Sequence, residues 1–261
     1  MSPGEAGPRL AELVGGTRFA DIDWVAETGS TNADLVAAAR DGRAGPTVLV
    51  ADHQTGGRGR LDRRWQSPPA TNLLVSLLLA PMGEPETWGD HAAAVAVAAV
   101  DTCRQLGVAA DLKWPNDVVV GDHKLAGLLA EAVTGVGRLV VGLGLNVSWP
   151  HTVTELSATS LVAEGVAVGD QTDRVEVLGD LLVRLDGRLG ALDAGRAAVV
   201  RDAYRARCAT LGRPVRVELV GGGQVVGRAL EVDDAGALVV DDGRQRVVVT
   251  VGDVFHLRPD A

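Results

Sequence analysis

Cysteine, lysine, asparagine and aromatic residues are all scarce in this 261-residue chain. The two cysteines, Cys103 and Cys208, show no CxxC or zinc-ligand spacing. That excludes a disulfide framework or a zinc ribbon and reads as reduced thiols. Five Trp, one Tyr and two Phe, with a net charge of −9, leave little for stacking on bases or gripping a phosphate backbone. The longest apolar runs, Leu73–Ala80 and Ala92–Val100, fall far short of the roughly 20 residues of a membrane span. The N-terminal stretch MSPGEAGPRLAELVGG carries acids and no cationic start before an apolar run. It is not a signal peptide, so a cytoplasmic protein is expected. What is present is apolar side chain, 46% of the residues, enough for a sizeable core.

The lysine shortage is informative by position. Of 25 basic residues only Lys113 and Lys124 are lysine, and they stand close together in DLKWPND and GDHKLAG. A chain that uses arginine by default places lysine where a compact charge on a flexible stem serves better than a planar fork. The four asparagines are Asn32, Asn72, Asn116 and Asn146. Three of them fall in stretches that stand out on other grounds.

The pattern predicts a lead-in over 1–20, then a helix over Asn32–Arg40 capped by Ser30 or Thr31. Strands are expected at Pro46–Ala51 and Asn72–Leu79, around a polar loop over 53–71. An Ala-rich helix over 86–106 ends at Gly107. Strand pieces Leu112–Trp114 and Val118–Val120 precede a hairpin of Leu125–Val133 and Arg138–Val147. Helices follow near 173–192 and 195–206. Beyond Leu211-Gly212-Arg213-Pro214, four or five short strands with Gly and Asp turns suggest a small β-barrel. The expected division is therefore 1–20, 21–210 and 211–261.

Five stretches are able to carry chemistry. Gly56–Trp65, GGRGRLDRRW, packs four arginines and three glycines into ten residues of an acidic protein. Glycines let consecutive N–H groups approach one anion, and arginines add bidentate donors. This loop is neither a Walker A sequence nor a dinucleotide GxGxxG, because no Gly-Lys-Ser/Thr follows and Asp62 stands where the third glycine belongs. Taken alone, it is as readily a solvated basic surface. KWPND (Lys113–Asp117) sets a polar pair at a strand end, KLAG (Lys124–Gly127) brings a lysine into an apolar strand, and GLGLN (Gly142–Asn146) puts two glycines on one strand face. ETGSTN (Glu27–Asn32) offers hydroxyls at a helix start. Each has a purely structural reading as turn, edge, close packing or cap.

In this order, ETGSTN, Gln54 with GGRGRLDRRW, KWPND, KLAG and GLGLN resemble the biotin protein ligase family, from about Asp23 to Val147 and again in the C-terminal strands. The resemblance implies an α+β fold: a mixed-sheet catalytic domain flanked by helices, related to lipoate ligases, and an SH3-like C-terminal barrel. It implies two steps. Biotin's carboxylate attacks the α-phosphorus of MgATP to give biotinyl-5′-AMP and pyrophosphate. A lysine of biotin carboxyl carrier protein then attacks the acyl carbon and releases AMP. No enzyme nucleophile is needed, and no Ser/His/Asp or Cys/His constellation is apparent.

Carried over residue by residue, Ser30, Thr31, Asn32, Gln54 and Gly127 would hold biotin, with Trp24 and Leu125 as further walls. Gly57, Arg58, Gly59 and Arg60 would wrap the carboxylate and acyl phosphate. Lys124 would neutralise the α-phosphate, with Arg58 and Arg60 assisting the chemistry. Arg63, Trp65, Asn116 and Asn146 would bind the nucleotide, and Asp117 the magnesium. Lys113 supports either the KWPND turn or the phosphates. Four like charges would leave the loop mobile until an anion arrives. Leu61-Asp62 departs from the family's more usual Arg-Gly. Bifunctional members carry an N-terminal winged helix for which residues 1–20 leave no room, so ligase activity without operator binding is expected, in a monomer or homodimer. The alternatives are a lipoate or octanoate ligase, or a non-catalytic nucleic-acid-binding regulator.

Overall fold

In the computed structural model, strand alternation decides which face of the main sheet becomes core and which becomes a cleft. The structure describes residues 3–45, 47–61, 63–148, 157–167 and 171–257. Asp62, and Pro46 at the start of an expected strand, lie outside the described residues. Seven strands form the sheet: β1 (Ile22–Thr28), β2 (Thr47–Gln54), β3 (Asn72–Leu79), β4 (Asp111–Lys113), β5 (Asp117–Val120), β6 (His123–Val133) and β7 (Arg138–Asn146). Their order is β1-β2-β3-β7-β6-β5-β4. Only β1 and β2 run parallel, so the sheet is mixed.

Leu73, Val75, Leu77 and Leu79 of β3, with Leu139, Val141, Leu143 and Leu145 of β7, enter one large core. That core is closed by α1 (Pro3–Leu13), α3 (Gly89–Gln105), α4 (Gln171–Asp193) and α5 (Ala197–Arg207). Side chains alternate across a strand, so Ser76, Gly142 and Gly144 face the other way. There the short α2 (Thr31–Arg40) covers only part of the sheet, in a small cluster of Leu35, Ala39, Leu49, Leu78, Val133 and Val140. The rest of that face stays open. Asp101 on α3, paired with Arg188 of α4 and Arg207 of α5, ties the three long helices together.

Residues 1–20 are more than a lead-in. Leu10, Val14 and Phe19 are fully buried, and α1 packs against α4. The sequence reading also missed β1, whose mixed burial gives no clean alternation. Both cysteines are free and buried. Burial pushes the Cys103 thiol up to about 12 and raises that of Cys208, so neither is a thiolate near neutrality.

The C-terminal strands are β8 (Pro214–Leu219), β9 (Gln224–Val232), β10 (Leu238–Asp241), β11 (Arg246–Val249) and β12 (Gly252–His256). They form an antiparallel sheet in the order β11-β10-β9-β8-β12. It is fastened to the KWPND turn, where Trp114 Nε1 donates to Gly236 O at 2.9 Å. Trp114 N also donates to Thr210 Oγ1 at 3.1 Å, and Thr210 Oγ1 lies 3.1 Å from His256 Nε2.

His256 is held neutral at this junction. Partial burial, then the nearby Lys113 and Arg213 cations, lower its pKa to about 4 from the ordinary 6.5. Arg213 Nη1 donates to Nδ1 at 3.2 Å, which leaves Nε2 to carry the proton toward Thr210. An unfolded histidine binds a proton below about 6.5, and the folded one resists until about 4. Stability from this group is therefore present above pH 6.5 and lost as pH falls toward 4. Thermal melts of the parent and of His256→Asn should converge as pH falls through that window. Parallel pH profiles would exclude the assignment.

Candidate active site

The open sheet face is the floor of a cleft of ≈ 230 Å³. Gly127 of β6 and Gly144 of β7 are directly paired across the strands. The Trp65 indole lies on this glycine pair. A Cβ at Gly144 would come within 2.6 Å of Trp65 Cε2, and one at Gly127 within 3.0 Å of Cζ3. The bulky group that two glycines on one face admit is thus the tryptophan that ends the arginine loop.

The loop folds back as a small hairpin. Gly59 N donates to Arg63 O at 2.7 Å, and Trp65 N to Gly57 O at 3.0 Å. Gly57 packs against the Trp65 backbone, where a Cβ would meet Trp65 O at 2.5 Å, so its role is to close the loop. Leu61 at the tip has φ 53, a left-handed conformation that costs a non-glycine residue about 1 kcal/mol. The cations are not left to repel one another. Arg58 pairs with Glu131 at 2.8 Å, Arg60 donates to Asn116 Oδ1 at 3.1 Å, and Arg63 pairs with Asp253. The expected mobility rested on unopposed charge; Arg58 and Arg63 have acidic partners, and Arg60 has a neutral one.

Lys124 stands beside the indole, with Nζ 5.5 Å from the Trp65 ring centroid and 2.6 Å from Asp117 Oδ1. Asp117, expected on the metal side, is therefore the lysine's counter-ion. Among the described residues no three His, Cys, Asp or Glu side chains are placed to hold a metal. Lys124 is fixed by its backbone too: its N–H donates to Ser157 O and its carbonyl accepts from Thr159 N.

At the other end of the cleft, Ser30 caps α2, and Thr31 donates from N and Oγ1 to Gln54 Oε1 at 2.8 and 3.0 Å. Asn32 is buried, donating to Glu131 Oε2 at 2.7 Å and to Leu129 O at 3.1 Å. Its Oδ1 lies 2.6 Å from Ser76 Oγ. Ser30, Thr31, Asn32, Gln54, Arg58, Gly59, Arg60, Arg63, Trp65, Asn116, Asp117, Lys124 and Gly127 all line one cleft. The sequence reading named each of them.

Four named residues do not line it: Gly57, whose backbone closes the loop, and Asn146, Trp24 and Leu125. Asn146 is buried: its Oδ1 accepts from Asn72 Nδ2 at 2.9 Å, and its Nδ2 donates to Thr159 O at 2.9 Å. It anchors the strands beneath Lys124 instead of facing a ligand. Trp24 turns to Asp52 (Nε1–Oδ1 2.9 Å), and Leu125 is part of the core. Conversely, Ser76, Asp253, Val254 and Phe255 line the cleft, and Glu131 buttresses it, without having been foreseen. Ser76, the one hydroxyl inside the apolar run NLLVSLLL, and Glu131, the one acid in β6, were visible signals. Nothing local marks Asp253, which reaches the cleft from the C-terminal sheet.

The glycine floor of the mixed sheet is thus ringed by Lys124 and three loop arginines, a cleft equipped to receive an anion. The model of the biotin/lipoate A/B protein ligase family matches residues 31–148, and that of the biotin protein ligase C-terminal domain matches residues 210–257. The biotin–[acetyl-CoA-carboxylase] ligase of Mycobacterium tuberculosis is 41% identical over 254 residues, which is 95% of this chain and 93% of the relative. That of Paracoccus denitrificans is 34% identical over 243 residues, 88% of this chain and 98% of the relative. The Aquifex aeolicus biotin protein ligase, solved in complex with biotin and ATP, matches with a TM-score of 0.76 and 25% identity, covering 92% of this chain and 99% of its own. The chain belongs to the biotin protein ligase family.

Proposed function

We infer that the chain is a biotin–[acetyl-CoA-carboxylase] ligase, with biotin and ATP as substrates. The observation that carries this is the stacked centre of the cleft: Trp65 on the Gly127–Gly144 floor, with Lys124 and its Asp117 counter-ion alongside. With the indole filling the side-chain-free floor, the part of the cleft toward Thr31 and Gln54 is left for the mostly neutral ring of biotin. The cations converge where its carboxylate would meet a phosphate. The carboxylate oxygen attacks the α-phosphorus of MgATP and pyrophosphate leaves. The amine of a carrier-protein lysine then attacks the acyl carbon, loses a proton, and AMP leaves.

No side chain forms a bond in either step. Catalysis is positioning together with neutralisation of developing charge. We assign Ser30, Thr31 and Gln54 to the ring end of biotin. Arg58, Gly59 and Arg60 go to the carboxylate and acyl phosphate, Lys124 to the α-phosphate, and Arg63 and Asn116 to the nucleotide side. Trp65, expected to bind the nucleotide, is assigned to fill the glycine floor beside Lys124. Magnesium would enter with ATP and would supply positive charge to its phosphates. Asp117 aims Lys124, and Asn146 fixes the strand that carries it.

We further propose that residues 21–210 are the catalytic unit and 211–261 an SH3-like unit, joined at the Trp114–Thr210–His256 contact. The carrier protein is the macromolecular partner and the cytoplasm the compartment. A net charge of −9 opposes any DNA affinity outside the arginine loop. Biotin should drive exchange of labelled pyrophosphate into ATP at least about 10²-fold faster than lipoate, because a site built for hydrogen-bonding a ring rejects one that lacks those groups. Equal exchange with lipoate would favour the alternative substrate. Salt-dependent nucleic-acid binding with no exchange would favour a regulator.

A further inference from the structure

Among the described residues Arg174 is the largest fully buried side chain, 2% exposed, and it lies in the first turn of α4. A cation there opposes the helix dipole, and a buried guanidinium is costly unless paired; its Nε is buried with no hydrogen-bond partner among the described residues. Its Nη2 donates to Asp52 Oδ1 at 2.9 Å and its Nη1 to Asn72 O at 3.3 Å. The guanidinium carbon sits 5.4 Å from the Trp24 ring, whose Nε1 donates to the same Asp52 oxygen at 2.9 Å. Asp52 lies near the end of β2, just before the arginine loop, and Asn72 begins β3, just after it. The two loop stems are also joined by Ala70 N donating to Asp52 O at 2.9 Å. Asn72 carries the link onward: on the other side of the sheet, its Nδ2 donates to Asn146 Oδ1 at 2.9 Å. Asn146 Nδ2 in turn reaches Lys124 O at 3.4 Å.

We propose that Arg174 is a positioning residue: a buried clamp on both stems of the arginine loop that also registers, through Asn72 and Asn146, the strand presenting Lys124. It touches no substrate. It fixes where Arg58 and Arg60 stand relative to Lys124, across two segments distant in sequence. The idea rests on the ligase reading for its kinetic consequence, but its structural half does not.

The test uses the full chain and three variants. Arg174→Met removes the clamp and leaves Asp52 unpaired. The double variant Asp52→Leu/Arg174→Met removes the ion pair without orphaning a charge, which restores stability while Asn72 O still lacks its donor. Arg174→Lys keeps the charge but, as a point donor, cannot span both partners. Each is digested with trypsin, which cuts at the loop arginines, at a fixed interval below its own melting temperature. Each is also assayed for biotin-dependent pyrophosphate exchange and for transfer to a carrier domain. Expected for the double variant are a near-parental melt, loop cleavage faster by about tenfold, and exchange slowed about 10- to 100-fold. Its KM for the carrier domain should be unchanged, and Arg174→Lys should fall between. A double variant with parental loop protection and parental exchange overturns the clamp. If even the parent shows no exchange, the ligase reading fails, while loop protection still decides the clamp.

Discussion

Replacing Lys124 with alanine should slow formation of biotinyl-5′-AMP by about 10²- to 10³-fold, the usual cost of removing one donor aimed at developing charge. The magnitude follows from the lysine's surroundings. It is held between Asp117 and the Trp65 ring in a partly closed cleft, where a charge acts at closer to protein than to bulk dielectric. The alanine variant leaves Asp117 without its cation, so a negative charge replaces a positive one near the phosphate. Biotin affinity should change much less, because the ring end is bound by Thr31 and Gln54 at the far side. Lys124→Arg should not rescue. The space beside Lys124 Cε and Nζ is already 3.0 Å from the position a Cβ would take on Gly127, and a guanidinium is broader. Stopped single-turnover assays with labelled ATP measure the step directly. Adenylation within about threefold of the parent in Lys124→Ala would sink the assignment.

Alanine at Gly144 and at Gly142 should fail in opposite ways, although the two residues lie on one strand face. At Gly144 the added methyl meets the Trp65 side chain and no backbone. The protein should fold with little loss, and its affinity for biotin should fall by about 10²-fold, because a displaced indole no longer holds Lys124 and the arginine loop in place. At Gly142 the methyl would lie 2.2 Å from Asn32 Oδ1, inside the buried Asn32–Ser76–Glu131 network. That network is packed beneath α2 and has little room to give. Overpacking costs about 1–3 kcal/mol, and a hydrogen bond lost in burial adds a similar amount. Thermal melts and calorimetric titration with biotin separate the two outcomes. A strongly destabilised Gly144→Ala, or a Gly142→Ala that melts like the parent, would mean that the two sides of the floor are misassigned.

Local sequence marked most of the elements because their signals are local. Ser30 before an apolar-periodic stretch gave the start of α2, Gly107 the end of α3 at φ 86, and TGVG the tight turn between β6 and β7. Even the cleft residues were legible, since glycines on a strand face and clustered arginines are readable in one dimension. Two of the expected site residues that lie outside the cleft share one cause. Asn146 and Trp24 carry polar atoms beside the site, and the sequence does not say on which side those atoms find partners. Asn146 found Asn72 and Thr159, and Trp24 found Asp52. The helix of residues 3–13 was hidden because its apolar stripe is short and interrupted by Pro8, and only docking on α4 gives it a core.

By itself, then, the sequence determined the chemistry. It offered an acidic chain with one cationic loop, two neighbouring lysines among 25 basic residues, and glycines where a flat group must approach. The tertiary structure decided the pairings. Arg58 with Glu131, Arg63 with Asp253, Lys124 with Asp117 and Arg174 with both loop stems join segments remote in sequence. Side-chain type and spacing set what a residue can do. Which charge it meets is set by sheet order and by which face of each strand is left uncovered.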